Sequence, residues 1–271
     1  MNSLTTFSAR LLITMLLFLS GAGCAAKSDI YKASSSGTIV DVERLLGKGA
    51  DVDDFSPVHG TPLRVAAQNG DVPMVTYLLN KGADIDLGSP LVGAAWGNHI
   101  DIALLLLRRG ADVNNGGWNA DSPLDTAVRE NNSEMVSVLL AAKANADGEG
   151  RGEPLWRAAF LGYDEIVLQL LDAGANPNLR DCLEVAVRHS SSDETTKILL
   201  EHGAEVNRRD ERGWTALHTA ALYGRTKRVR LLLQYGAVVG YMDKSGKTAE
   251  LYALEQDYPK IVEMLNAPAN K

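Results

Sequence analysis

Cysteine is almost absent from this chain of 271 residues: Cys24 and Cys182 are its only two. The multi-bridge framework that staples small secreted domains is therefore excluded. Excess positive charge is missing too, since 27 Lys and Arg face 34 Asp and Glu, a formal −7 at pH 7. Such a chain has no electrostatic reason to seek nucleic acid, and no nucleic-acid partner is expected. The one long apolar run, Leu11–Leu19, is too short for a comfortable transmembrane helix.

Catalytic signatures are lacking as well. There is no Gly-x-Ser-x-Gly elbow and no His-Glu-x-x-His helix. His59, His99, His189, His202 and His218 are scattered, without Cys or carboxylate partners at metal-ligand spacing. Gly246-Lys247-Thr248 looks like the tail of a phosphate loop, but Tyr241 stands where that loop needs a Gly. A turn entering a helix accounts for it. The carboxylates read as a structural surface, so neither an enzyme, a metal nor any other cofactor is expected.

What the chain does have is a phrase written seven times. Leu45-Leu46-Gly47-Lys48-Gly49-Ala50-Asp51 returns at Leu78–Asp84, Leu106–Asp112, Leu139–Asn145, Leu170–Asn176, Leu199–Glu205 and Leu232–Val238. Lys143 replaces the Gly once, and Glu205 and Val238 close two copies differently. The phrase's Ala recurs at spacings of 33, 28, 33, 31, 29 and 33 residues. A near-fixed period in this range means a solenoid, in which each unit buries its apolar face against its neighbours.

A second landmark precedes each phrase: Thr61-Pro62-Leu63 with Ala66-Ala67-Gln68-Asn69-Gly70, Ser89-Pro90-Leu91 with Ala94-Ala95-Trp96-Gly97-Asn98, then Ser122-Pro123-Leu124, Glu153-Pro154-Leu155 and Thr215-Ala216-Leu217-His218. Ser or Thr caps a helix by accepting a backbone N–H, and Pro fits the first turn, where its missing donor costs nothing. The paired alanines allow close helix approach. A Gly such as Gly70, Gly162 or Gly224 ends the first helix, and an apolar-periodic second helix runs into Leu-Leu.

Together these landmarks resemble the ankyrin repeat, over about Ile30 to Ala267. The resemblance implies an all-α solenoid of about eight units with short β-hairpin fingers, spanning residues 30–267 ahead of a tail at 268–271. The first unit is a partial start, and the eighth, from Gly246 to Leu265, reads as the C-terminal cap. Units three, five and six are short, so the junctions Ile85–Ser89, Asp147–Glu153 and Pro177–Asp181 are expected to lack a full hairpin. Unit six, with Cys182 in the Pro position and Ser190-Ser191-Ser192, is the most degenerate and the expected soft point. Cys182 reads as a buried filler, with a thiol activated at a helix start as the alternative.

Ahead of the repeats, Arg10, the apolar run, Gly21-Ala22-Gly23 and Cys24 have the layout of a secretory signal. The placement of Cys24 resembles a bacterial lipobox, with Gly21 in place of the family's Leu three residues before the Cys. That resemblance implies a signal peptide at 1–23, lipidation at Cys24, a tether at 24–29, and Ala25 leaning toward outer-membrane sorting on the periplasmic side. Ordinary cleavage near Ala26 and an uncleaved anchor stay open. Cleavage before Cys24 removes Arg10 alone among the charges and takes the formal net charge from −7 to −8.

The ankyrin resemblance further implies a non-catalytic binding module, monomeric, whose concave groove contacts a protein partner. A periplasmic immunity protein against a toxic effector and an accessory in envelope oxidant defence are narrower alternatives. Groove positions, the two before the Gly that ends each first helix, hold Trp96, Phe160, Leu161, Leu222 and Tyr223, with Arg129-Glu130 and Arg188-His189 between them. At the corresponding hairpin position stand Glu211, Arg212 and Trp214. Aromatics and arginines on an exposed concave face are the usual makings of binding hot spots. Trp118 is a weaker candidate of the same kind. A basic cluster (Arg225, Lys227, Arg228 and Arg230, after Arg208, Arg209 and Arg212) reads as a solvated helix face or as a docking patch.

Overall fold

The computed structural model describes residues 29–56, 58–116, 121–148 and 154–267. Cys24, the expected leader, the tail at 268–271 and Trp118 lie outside them. Among the described residues there are sixteen helices in eight pairs. They are Asp29–Ser36 and Ile39–Leu46 (α1, α2), Pro62–Asn69 and Val72–Asn80 (α3, α4), Pro90–Gly97 and Ile100–Arg108 (α5, α6), and Pro123–Arg129 and Ser133–Ala141 (α7, α8). Then come Pro154–Leu161 and Asp164–Asp172 (α9, α10), Cys182–His189 and Asp193–Glu201 (α11, α12), Ala216–Leu222 and Thr226–Gln234 (α13, α14), and Ala249–Glu255 and Pro259–Leu265 (α15, α16). Each odd helix packs on the next odd helix, and from α4 onward each even one packs on the next even one, giving two rows. The fold is the expected all-α solenoid of eight units. None of its described helices is long and apolar enough to cross a membrane.

The core follows the repeated phrase. Its first Leu is fully buried in six copies, at Leu78, Leu106, Leu139, Leu170, Leu199 and Leu232. Leu45, in the end unit, is only half-buried. Each interior Leu contributes about 2 kcal/mol of transfer free energy. The Ala column at 66, 94, 127, 158, 186, 220 and 253 is sealed, which lets the odd helices approach closely. Units two and three show the limit: a Cβ on Gly93 would stand 2.8 Å from the Arg64 carbonyl oxygen.

Asx chemistry links the units. In five copies the closing Asp or Asn accepts from the backbone N–H two residues on, as Asp112 does from Asn114 at 2.9 Å. The side chain at that second position then reaches into the next unit. Asp53, Asp86, Asn114, Asp147, Asn178 and Asn207 accept from the N–H of Asp84, Asp112, Asn145, Asn176, Glu205 and Val238, at 2.7–2.9 Å. The donating residue supplies only its backbone N–H, so Glu205 and Val238 serve as well as Asp. After the last copy of the phrase, Gly240 stands at the accepting position.

The fingers hold less β structure than a hairpin implies. One isolated bridge, Ser56 to Gly60, is present among the described residues. Two further tips close by N–H to carbonyl bonds, Asp210 to Trp214 and Asp243 to Lys247, both 2.9 Å. The short junctions at Ile85–Ser89 and Pro177–Asp181 are simple turns. Capping follows the sequence pattern at Thr61, Ser122, Thr215 and Thr248. Ser89 departs from it: its φ is 58°, it makes no cap, and its hydroxyl donates to the Gly116 carbonyl at 2.7 Å.

The Gly of the repeated phrase has positive φ in every copy, and Lys143 is forced there too, at 69°. A left-handed non-Gly residue costs about 1–2 kcal/mol, partly offset by the unfolded-state entropy that Gly brings. Lys143→Gly is therefore expected to stabilise the protein by about 0.5–1 kcal/mol, read as an upward shift of the urea midpoint.

Candidate protein-binding surface

The groove residues divide into three groups. Trp96, near the end of α5, is 53 % exposed. Next along the row, Arg129 is engaged by Asp121 at 2.5 Å and Glu130 at 3.1 Å.

The second group forms a continuous strip across units five to seven. Phe160 is half-buried and lies on Trp156 of the same helix, with ring centroids 5.5 Å apart at 16°. It also tilts against His189 of the next unit at 5.0 Å. The Arg180 guanidinium stands 5.7 Å from the Trp156 centroid, and that of Arg188 stands 5.3 Å from Tyr223. Tyr223 is 39 % exposed, and Leu161 and Leu222 are half-buried beside the strip in sequence. Trp156 and Arg180 were not singled out in the sequence. The signal for Trp156 was its i, i+4 relation to Phe160, which puts both rings on one helix face.

The third group is a packing knot at the last finger. Trp214 is half-buried, its indole N–H donates to Asp243 at 3.0 Å, and its ring lies 4.9 Å from that of Tyr252. Arg212 sits 4.5 Å over the indole and pairs with Asp210 at 3.0 Å. Glu211 is exposed beside them. Asp243 also accepts from the Tyr252 and Ser245 hydroxyls at 2.5 and 2.7 Å, and these bonds hold its carboxyl far below the usual carboxylate range. Much of the Trp214 ring expected on the groove is thus spent joining units seven and eight. His218 is buried beneath it, accepts from the Thr215 N–H at 3.1 Å, and is held less basic than usual by burial.

The basic cluster is mixed: Lys227 and Arg230 are exposed, whereas Arg208, Arg209, Arg225 and Arg228 reach across inter-unit joints. Arg228 is 4 % exposed. Its guanidinium donates to the carbonyls of Ala186 (2.9 Å), Val187 (2.6 Å) and Ser190 (2.8 Å) and pairs with Asp193 at 2.9 Å. Units two to five, seven and eight end their first helix on a left-handed residue such as Gly70 or Asn98, whereas α11 ends on Ser190 with φ −52° and ψ 138°. Arg228 satisfies the carbonyls that this helix end leaves open. Arg208 donates to the carbonyls of Asn178 and Arg180, Arg209 to that of Met242, and Arg225 to that of Arg188. Asp164 further ties unit five to unit six, accepting from the Ser192 and Thr195 hydroxyls at 2.5 Å each. These links count against unit six as the soft point. Cys182 is buried, as a filler would be.

Among the described residues no group of three metal-ligating side chains converges. The two-row stack, its capped first helices and the recurring Leu-Leu phrase have a counterpart in known proteins. A family model for ankyrin repeats (3 copies) matches residues 30–116, 91–181 and 183–271. The chain belongs to the ankyrin-repeat family. The human ASB11 ankyrin repeat domain superposes with a TM-score of 0.63 at 27 % identity, covering 77 % of this chain and 97 % of that one. Glycerophosphocholine phosphodiesterase gde1 of Schizosaccharomyces pombe is 35 % identical over 155 residues, which is 54 % of this chain and 14 % of that protein. Ankyrin repeat and SOCS box protein 6 of Mus musculus is 33 % identical over 149 residues, 49 % of this chain and 34 % of that protein. The chain thus matches only part of each of these two relatives. Ankyrin repeats are protein–protein interaction modules, and the fold is typically a non-catalytic scaffold.

Removing a charge that pairs and caps inside a protein leaves its partners unsatisfied at a cost of several kcal/mol. Asp193 is partly exposed, which discounts that figure. Arg228→Met is expected to lower stability by about 2–3 kcal/mol, measured by urea unfolding, whereas Arg230→Met at an exposed site leaves it within about 0.5 kcal/mol.

Proposed function

We propose that this chain is an exported, lipid-anchored scaffold that holds a protein partner in its concave groove. The observation that carries the reading is the set of exposed or half-buried rings, Trp96, Phe160 and Tyr223, on first helices whose fully buried apolar side chains are aliphatic. Large rings lose little side-chain entropy on binding and desolvate a large area, and so make efficient anchors. The lipobox-like placement of Cys24 in the sequence supports the export half of the reading, with the outer membrane facing the periplasm as the expected site. Tethering raises the local concentration of scaffold at the membrane. An immunity role against a toxic effector and an accessory role in oxidant defence are narrower forms of this reading, told apart by which partner is captured.

Trp96→Ala combined with Tyr223→Ala is expected to reduce crosslinked capture from intact cells about tenfold or more, with melting close to wild type. Undiminished capture would remove the groove assignment. Cys24→Ser is expected to move the protein from the membrane fraction to the soluble one, and retention at the membrane would refute the lipid anchor.

A further inference from the structure

We infer that the strip across units five to seven recognises an acidic segment of a protein partner, whose carboxylates pair with Arg188 while its apolar groups lie on Phe160 and Tyr223. The inference rests on the scaffold reading above and narrows it to one partner chemistry and one part of the groove.

Three observations carry it. First, the strip alternates cation and ring: Arg180 over Trp156, Trp156 on Phe160, Phe160 on His189, and Arg188 over Tyr223. The Arg188 guanidinium, placed over the Tyr223 ring at 5.3 Å, has N–H donors with which a guanidinium can bind a carboxylate bidentately. Second, the carboxylates close to the strip are already engaged. Glu184 accepts from the Thr219 hydroxyl at 3.2 Å, and Asp181 lies 3.7 Å from the Arg208 guanidinium. Arg188, in contrast, makes no side-chain hydrogen bond or ion pair to the described residues and is only partly buried. Arg225 adds a further positive charge beside it through the bond to the Arg188 carbonyl at 3.2 Å. Third, the strip is positive within a chain of formal charge −7. With screening over about 8 Å at physiological salt, a partner at the strip feels this local charge more than the distant acidic surface. Nucleic acid would need a longer run of cations to gain by counterion release, and the acidic total opposes it.

The test uses the full chain purified in mild detergent and fluorescence anisotropy with labelled glutamate–tyrosine copolymer. Lysine–tyrosine copolymer and oligodeoxythymidylate serve as competing probes. The acidic copolymer is expected to bind best, to weaken with added salt, and to lose about tenfold or more in affinity on Arg188→Glu. Arg180→Glu, a change at an exposed residue, is expected to weaken it in the same direction, and Lys48→Glu, an equal charge reversal at an exposed position in the first unit, to leave it unchanged. Better binding of the basic copolymer or the oligonucleotide would overturn the inference, as would affinity unmoved by both charge reversals in the strip in folded protein. A photo-crosslinker at Tyr223 in intact cells separates the two levels. A partner caught there whose yield ignores both charge reversals would keep the scaffold and overturn the acidic partner. No adduct at Tyr223 or at Trp96 would remove the scaffold reading itself.

Discussion

One hydrogen bond, made six times, sets the relation between neighbouring units. A side-chain oxygen three residues beyond the Ala of the repeated phrase accepts the amide that opens the same stretch in the next unit, always at 2.7–2.9 Å. Spacing along the sequence varies from 28 to 33 residues, yet this contact does not stretch. Residues are lost downstream of it, between the Asx position and the start of the next first helix. Finger length can therefore drift while the stacking of the two helix rows stays constant. Where the repeated phrase loses its own Asp, at Glu205 and Val238, the accepting residue is Asn rather than Asp. The amides of Asn178 and Asn207 then also donate to the carbonyls of Gly203 and Gly236, at 3.0 and 2.9 Å. An Asp could accept there but could not donate.

The scaffold was legible because each of its signals is local. Pro at a first turn, Ser or Thr before it, Gly where φ turns positive, and a Leu pair in phase with the helix all act within a few residues of themselves. The inter-unit bond was legible in principle, since Asp-x-Asp, Asp-x-Asn and Asn-x-Asn follow the Gly-Ala pairs in the sequence. Its meaning was not, because the bond closes over 26 to 31 residues.

Side-chain fate was much less legible, for the same reason. Arg228 shares its helix with exposed Lys227 and Arg230, and nothing in its sequence neighbourhood separates it from them. What draws it inward is a helix end some 40 residues upstream that lacks the usual left-handed terminator. Trp214 occupies a position from which a ring can reach a partner, but Asp243, 29 residues further on, binds its N–H. Phe160 sits between a ring of its own helix and an imidazole of the next unit. The groove is thus less a row of free aromatics than two separate places, an isolated Trp96 and a pre-stacked strip.

Arg228 and Asp164 bear on how the stack opens. A solenoid whose units touch only their neighbours can fray from either end, one unit at a time. Here Asp164 joins unit five to six, and Arg228 joins six to seven, each through buried or half-buried polar groups added to the common apolar contacts. The Trp214–Asp243 bond continues the series from seven to eight. Four successive units then behave as a single cooperative block. The cation and ring strip lies wholly on that block, so a ligand settling there would meet a surface already arranged and would lose less entropy in binding.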